Sequence, residues 1–424
     1  MRRIVVALIA GGAVTLAAAA SEFPDLPPRE LAMQALEQAP RVQDARWAVT
    51  GQEAGRDRLV AGDAETKVIL EGQQRRVRVE PTDTFGEWNV GVERELRLPD
   101  KARLDGELGR QRVEVARAAL ADAFHESGRE LLAAWFAWAR AGLEVEEWER
   151  QTGLLAQELK VVDKRIQAGD AAQLDRLAAE AALAQSRASL TQAKGRQQAA
   201  RNDLAARFPA LRLPQSVRLA EPKPIPGGAE HWQQDIVAHS HGLVAAQTES
   251  RRWQAEMARQ SAYERPNPTV GLFYGQERGG DEQILRLGIS VPLPGEARRA
   301  DTRQARAQAE SANAREAAES LRTRAEATGT YQTAVNAYEV WRQAQAAASS
   351  MGRNATMVSK AYAAGEAGLN EVLVARRQAV EATLAARLAQ ADARESHLRL
   401  LLDAHQLWAF EDDAQEGPAQ MQGR

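Results

Sequence analysis

The 424-residue chain carries 55 Lys and Arg against 58 Asp and Glu, a formal net charge of -3, with 27% charged and 5% aromatic residues. A mean hydropathy of -0.46 excludes a polytopic bundle of apolar helices, and the near-neutral balance supplies no broad basic face for nucleic acid. With no cysteine, disulfides, thiolate metal sites, thiol nucleophiles and a lipidated N-terminal cysteine are excluded together. Few aromatics beside many charges suit long, alanine-rich helices around a thin, distributed core.

Arg2 and Arg3 precede an apolar run from Ile4 to Leu16 and the small residues Ala17, Ala18, Ala19 and Ala20. This is the pattern of a secretory signal peptide over residues 1–20, cleaved before Ser21. The run is short for a transmembrane helix, an uncleaved anchor being the alternative. Export predicts a location in the periplasm, the outer membrane or the medium.

Residues 21–207 read as a first structural repeat. Apolar residues at helical spacing predict a helix over about 28–64. Trp88, Val90, Val92, Leu96 and Leu98 then alternate with Asn89, Gly91, Glu93, Glu95 and Arg97, a half-buried strand. Val68, Leu70 and Gly72 mark its partner, and residues 80–86 a polar turn. After Pro99 an uninterrupted helix is predicted over about 101–168; some 65 residues at 1.5 Å each span roughly 100 Å. It ends at Ala168-Gly169, suited to a left-handed cap, and a second helix returns over about 171–206. Residues 208–229 are a Pro-rich linker.

Residues 230–410 repeat this order, followed by a flexible tail over 411–424. A helix is predicted over about 230–264, then a hairpin in which Leu285, Leu287, Ile289, Val291 and Leu293 alternate with Arg286, Gly288, Ser290 and Pro292. Long helices follow over about 296–364 and 368–407. Leu98-Pro99-Asp100-Lys101-Ala102-Arg103 is echoed by Leu293-Pro294-Gly295-Glu296-Ala297-Arg298. Gly169, Asp175 and Leu177 are echoed by Gly365, Glu371 and Leu373 in the same G-x5-acid-x-Leu spacing. Matches in the same order indicate duplication. The fold class is mainly α with a small β part: two copies of helix, β-hairpin, long helix, turn, helix.

Four strands with one apolar face cannot close a barrel, and an open edge in lipid leaves backbone groups unpartnered at several kcal/mol each. Other chains would have to supply strands; two or three copies satisfy the even counts of eight or more that such barrels show. Period-two alternation alone also permits a small soluble sheet packed on the helices.

The order of elements, the duplication, the Leu-Pro step from strand into long helix and the doubled G-x5-[DE]-x-L resemble the outer membrane efflux protein family, whose best-known member is the TolC channel. The resemblance spans nearly the whole mature chain. In length and in lacking a lipidated cysteine it is most similar to the cobalt-zinc-cadmium resistance (CzcC-type) branch. What this implies is a homotrimer whose chains each give four strands to a 12-stranded barrel in the outer membrane, continuous with a helical tunnel across the periplasm. The implied role is a passive exit duct for divalent cobalt, zinc and cadmium. A periplasmic adaptor and an inner-membrane resistance-nodulation-division (RND) pump are the implied partners, with outer-membrane lipid around the barrel.

The resemblance also implies that the G-x5-[DE]-x-L turns lie at the periplasmic end, where the adaptor docks. The matching positions are Arg165, Gly169, Asp175 and Leu177 in one hairpin and Gly365, Glu371 and Leu373 in the other; Ala361 departs from the arginine expected there. In the TolC channel two acids three residues apart line a constriction at the second turn. Glu371 stands at the first position and Val374 at the second, so one acidic ring is expected rather than two. For Glu371 and Asp175 alike, the plainer reading is an exposed acid at a helix start.

No phosphate loop, H-E-x-x-H or Cys-His arrangement is present, so catalytic residues, cofactors and enzymatic activity are not expected. His231, His239 and His241 invite a metal reading, but spacings of eight and two do not place all three on one helical face, and Asp235 alone accompanies them. No metal site is expected. Six methionines without cysteine give no soft-ligand relay for copper(I). Trp135, Phe136, Trp138 and Trp148 read as helix packing or an inter-chain seam. Competing readings are a duct for drugs or secreted proteins, a periplasmic adaptor, and a soluble coiled-coil scaffold. An adaptor would show one hairpin between two half-lipoyl motifs, and a scaffold leaves the strands unexplained.

Overall fold

A computed structural model of the chain describes residues 23–78, 80, 81 and 83–410. The expected signal peptide and C-terminal tail lie outside the described residues.

The opening helix of each half is two helices. α1 (Arg29–Glu37) and α2 (Pro40–Ala61) are separated at Ala39, whose backbone is extended at ψ 134°. Pro40 lacks the N–H that would continue α1, and it disfavours helical backbone in the residue before it. Its fixed φ then suits the first position of α2. In the second half α5 (Ala229–Ala238) stops before Ser240, and α6 (His241–Tyr263) restarts with the Ser240 hydroxyl accepting the Leu243 N–H at 3.2 Å.

The strands β1 (Thr66–Val77), β2 (Asp83–Glu95), β3 (Thr269–Glu277) and β4 (Glu282–Ser290) form one antiparallel sheet in the order β1-β2-β3-β4. The two hairpins therefore join edge to edge through β2 and β3. Thr84, Phe85 and Gly86, expected in a turn, are strand residues opposite Arg76, Arg75 and Gln74. β4 ends at Ser290, short of the predicted Leu293, because Pro292 and Pro294 cannot donate to a ladder.

The long helices are α3 (Pro99–Gln167), α4 (Gln173–Arg207), α7 (Glu296–Ala363) and α8 (Leu369–Asp403), each within a few residues of its predicted span. The fold resolves into two compact units, and each draws on both halves of the sequence. Among the described residues, one gathers those up to Ala35 with Ala133–Pro224 and Ala337–Glu395; the other gathers those of Leu36–Leu132, Ile225–Asn336 and from Ser396 to Phe410.

In the first unit Trp135, Phe136 and Trp138 are buried and Trp148 half-buried, so this group packs helices. Trp135 donates its indole N–H to the Asp25 carbonyl at 2.7 Å. The buried Asp25 carboxylate in turn accepts two bonds from Arg394, an arrangement that satisfies both charges away from water. In the second unit Trp232 and Ile236 of α5 pack on Ala327 and Ala334 of α7 and on Leu400 and Ala404, where small residues let the helices approach.

Candidate functional site

Cross-strand register sorts the sheet into two chemically distinct faces. On one face Val68, Val92, Leu272 and Leu287 form a row across all four strands, flanked by the row Leu70, Val90, Tyr274 and Leu285. Leu70 is 78% exposed, Leu285 72% and Leu287 73%, so this apolar face has no protein cover among the described residues. Trp88 and Tyr274 meet edge-on at 5.9 Å on the loop-proximal part of this face. On the other face Lys67, Glu71, Gln73, Arg75, Glu87, Asn89, Glu93, Glu277 and Arg286 dominate. The buried Glu87 there accepts from Gln73 at 2.7 Å and pairs with Arg75 at 3.1 Å, while Arg75 also pairs with Glu277. Phe273 lies on this polar face in space left by glycines. A Cβ on Gly91 would come within 2.1 Å of its ring and one on Gly271 within 2.7 Å, so neither position tolerates a side chain while Phe273 stays in place.

Among the described residues β1 pairs only with β2 and β4 only with β3. Each outer edge therefore presents backbone donors and acceptors to a partner strand. In an all-antiparallel sheet of four strands the two edge strands run in opposite directions. Copies arranged about an axis along the strands thus place β4 of one beside β1 of the next in antiparallel register.

The second candidate region joins the tips of the two helical hairpins. Gly169 and Gly365 adopt φ of 83° and 81°, and each closes its helix in the same way. The Gly169 N–H bonds to the Ile166 carbonyl and the Asp170 N–H to Arg165; the Gly365 N–H bonds to Tyr362 and the Glu366 N–H to Ala361. These paired bonds satisfy carbonyls that a helix end leaves over, and they demand the left-handed backbone glycine adopts freely. Val162, Ala179, Tyr362, Leu369 and Val372 form one buried core there, with half-buried Leu373 packed against it. The Arg165 guanidinium lies over the Tyr362 ring at 4.6 Å. Asp175 accepts the Ala172 N–H at 3.3 Å, the bond of a helix-start acid. Glu371 is exposed in the first turn of α8 and makes no hydrogen bond or ion pair among the described residues. Leu177 is exposed, with Leu174 beside it. Folding thus brings Arg165, Gly169, Asp175, Leu177, Gly365, Glu371 and Leu373 to one pair of tips.

A third cluster escaped the sequence reading. His231 stacks near Trp232, away from the other histidines considered, but His241 meets His125 of α3 and His405, just past α8. One ring nitrogen from each of His125, His241 and His405 lies within 4.8 Å of the others. His239 joins them, its ring 5.2 Å from that of His405. Burial, then the neighbouring histidines, push His241 down to about 3 and His405 to about 4, so both imidazoles are neutral at pH 7. Burial works against ionisation of Asp403, yet a bond from His125 and the charges of Arg129 and Arg399 hold it at about 2. No local spacing signals this cluster, because its members come from three distant segments.

No family model and no curated protein matches the sequence. Solved structures do. The outer membrane protein VceC of Vibrio cholerae aligns with a TM-score of 0.72 at 16% identity, over 88% of this chain and 95% of its own. The CmeC outer membrane channel of Campylobacter jejuni aligns with a TM-score of 0.74 at 14% identity, over 91% and 88%. The chain has the fold of outer-membrane channels. CusC, described by the conformational changes that accompany its folding and transmembrane channel formation, shares that fold with a TM-score of 0.68 at 15% identity, over 90% and 92%. At these identities the likeness carries the fold and no substrate.

Proposed function

We propose that the chain is the outer-membrane exit duct of a tripartite efflux system, a homotrimer in which three four-stranded sheets close into a 12-stranded barrel. The observation that carries this reading is the sheet: an apolar face without protein cover, a charged opposite face, and two outer edges of opposite direction. Lipid contacts the rows of Val68 and Leu70, and the Glu87 face lines water. Edge pairing between copies removes the cost of open backbone groups in hydrocarbon.

In this reading the hairpin tips dock a periplasmic adaptor through Arg165, Gly169, Asp175, Leu177, Gly365 and Leu373, and an inner-membrane RND pump supplies the energy. Glu371, exposed and unpaired among the described residues, forms a ring of three carboxylates that favours divalent cations. That ring and the resemblance to the cobalt-zinc-cadmium branch support metal cations as cargo. Purified protein is expected to require detergent, to run as a trimer and to conduct ions in planar bilayers. A soluble monomer released by osmotic shock would overturn the duct. Restored zinc, cobalt or cadmium tolerance in a strain deprived of its own duct tests the cargo separately.

A further inference from the structure

We infer that His125, His241 and His405 form a binding site for a divalent cation of the zinc class, which clamps α3, the start of α6 and the end of α8 together. The inference is independent of the duct reading, since it concerns a resident ion and not one in transit. Four of the chain's six histidines gather here, from three separate segments. Chance burial gives no reason for that concentration.

Three further observations fit a ligand set. First, His405 occupies the left-handed position that ends α8, with φ 57°, its N–H bonded to Leu402 and the Gln406 N–H bonded to Leu401. Gly169 and Gly365 fill the same position in the other two caps. A side chain placed where glycine costs less is a strained choice, and strain of this kind gathers at functional positions. Second, His125 Nε2 lies 3.3 Å from the Asp403 carboxylate, which Arg129 and Arg399 hold at 2.9 Å. A carboxylate behind an imidazole fixes its tautomer and raises the basicity of the other nitrogen, as around many bound metals. Third, His239, the candidate for a fourth position, has its Nδ1 2.8 Å from the Asp235 carbonyl. That leaves Nε2 as the nitrogen open to a ligand.

Tetrahedral zinc places imidazole nitrogens about 3.4 Å apart. From the 4.8 Å limit observed, each ring nitrogen has to move by about 1 Å to reach that spacing, a displacement on the scale of side-chain rotation. With no thiolate available, three imidazoles select zinc and its neighbours over copper(I).

The test uses full-length protein in detergent, stripped by a chelator and titrated with Co²⁺ at neutral pH, then with Zn²⁺ in competition. One ion per chain is expected, with the visible absorption of imidazole-bound cobalt and a higher melting temperature on zinc addition. His405→Gly should keep or raise metal-free stability, because glycine suits its backbone, while weakening zinc binding by more than about 100-fold, beyond the 10–100-fold that outer partners command. His125→Gln, a helix-compatible change in α3, should weaken binding to a similar degree. Absence of stoichiometric binding in the wild type, or unchanged affinity in either variant, would overturn the site.

Discussion

The two hairpin tips have the same backbone and opposite surfaces. Both helices close on a left-handed glycine with the same pair of bonds, and both returning helices begin with an acid, Asp175 in α4 and Glu371 in α8. The first turns differ in where the leucine falls. Leu369 of α8 occupies the position of Gln173 in α4, and Leu174 that of Asn370. One residue is about 100° around a helix. Leu369 is accordingly buried at 3% exposure, whereas Leu174 stands 73% exposed. Val372, fully buried, replaces Arg176, which pairs instead with Asp163 at 3.0 Å. A duplicated scaffold thus yields one tip that seals the junction and one that leaves apolar surface exposed.

The largest expected effect separates the two leucines. Leu369→Ala removes a buried side chain and should cost about 2–5 kcal/mol of stability. Leu174→Ala should stay within about 0.5 kcal/mol, yet lower binding of the adaptor. Urea unfolding and adaptor pull-down check both, and equal destabilisation would erase the contrast. Gly169→Ala and Gly365→Ala should each cost about 1–2 kcal/mol, because an added Cβ is strained by the left-handed backbone. The costs should match, since at neither glycine would that Cβ meet another group within 4 Å. Arg165→Ala removes the guanidinium over Tyr362, which has no counterpart at Ala361. A loss of about 0.5–1 kcal/mol is expected.

Much of this fold was legible because the signals are local. Period-two runs gave the strands, uninterrupted polar-apolar periodicity gave α3, α4, α7 and α8, and the Ala-Gly pairs gave both caps. Pro40 marks a break of its own, but the apolar spacing continues across it and hides the boundary between α1 and α2. The Ser240 break carries only a weak signal, a capping hydroxyl inside a periodic run. The pairing of β2 with β3 had no local signature, because it joins segments from opposite halves. The histidine cluster failed for the same reason: His125 lies in the middle of α3 and His405 beyond α8, and neither neighbours the histidines that spacing brought forward. At the tips the motif supplied the positions, but which leucine faces inward depends on the partner helix.

The smallest effect on stability carries the most functional information. Asp175 accepts the Ala172 N–H at the start of α4, so Asp175→Ala should cost about 0.3–1 kcal/mol through the lost bond and the helix dipole. Glu371 has no such bond among the described residues, so Glu371→Gln should leave unfolding unchanged to within about 0.5 kcal/mol. If Glu371 lines a threefold mouth, the same change removes three charges at once and should reduce both cation selectivity and block by divalent ions in single-channel recordings. Asp175→Ala should alter neither. Should the two acids behave alike in conductance, the difference between the tips would be confined to packing, and Glu371 would be one more acid at a helix start.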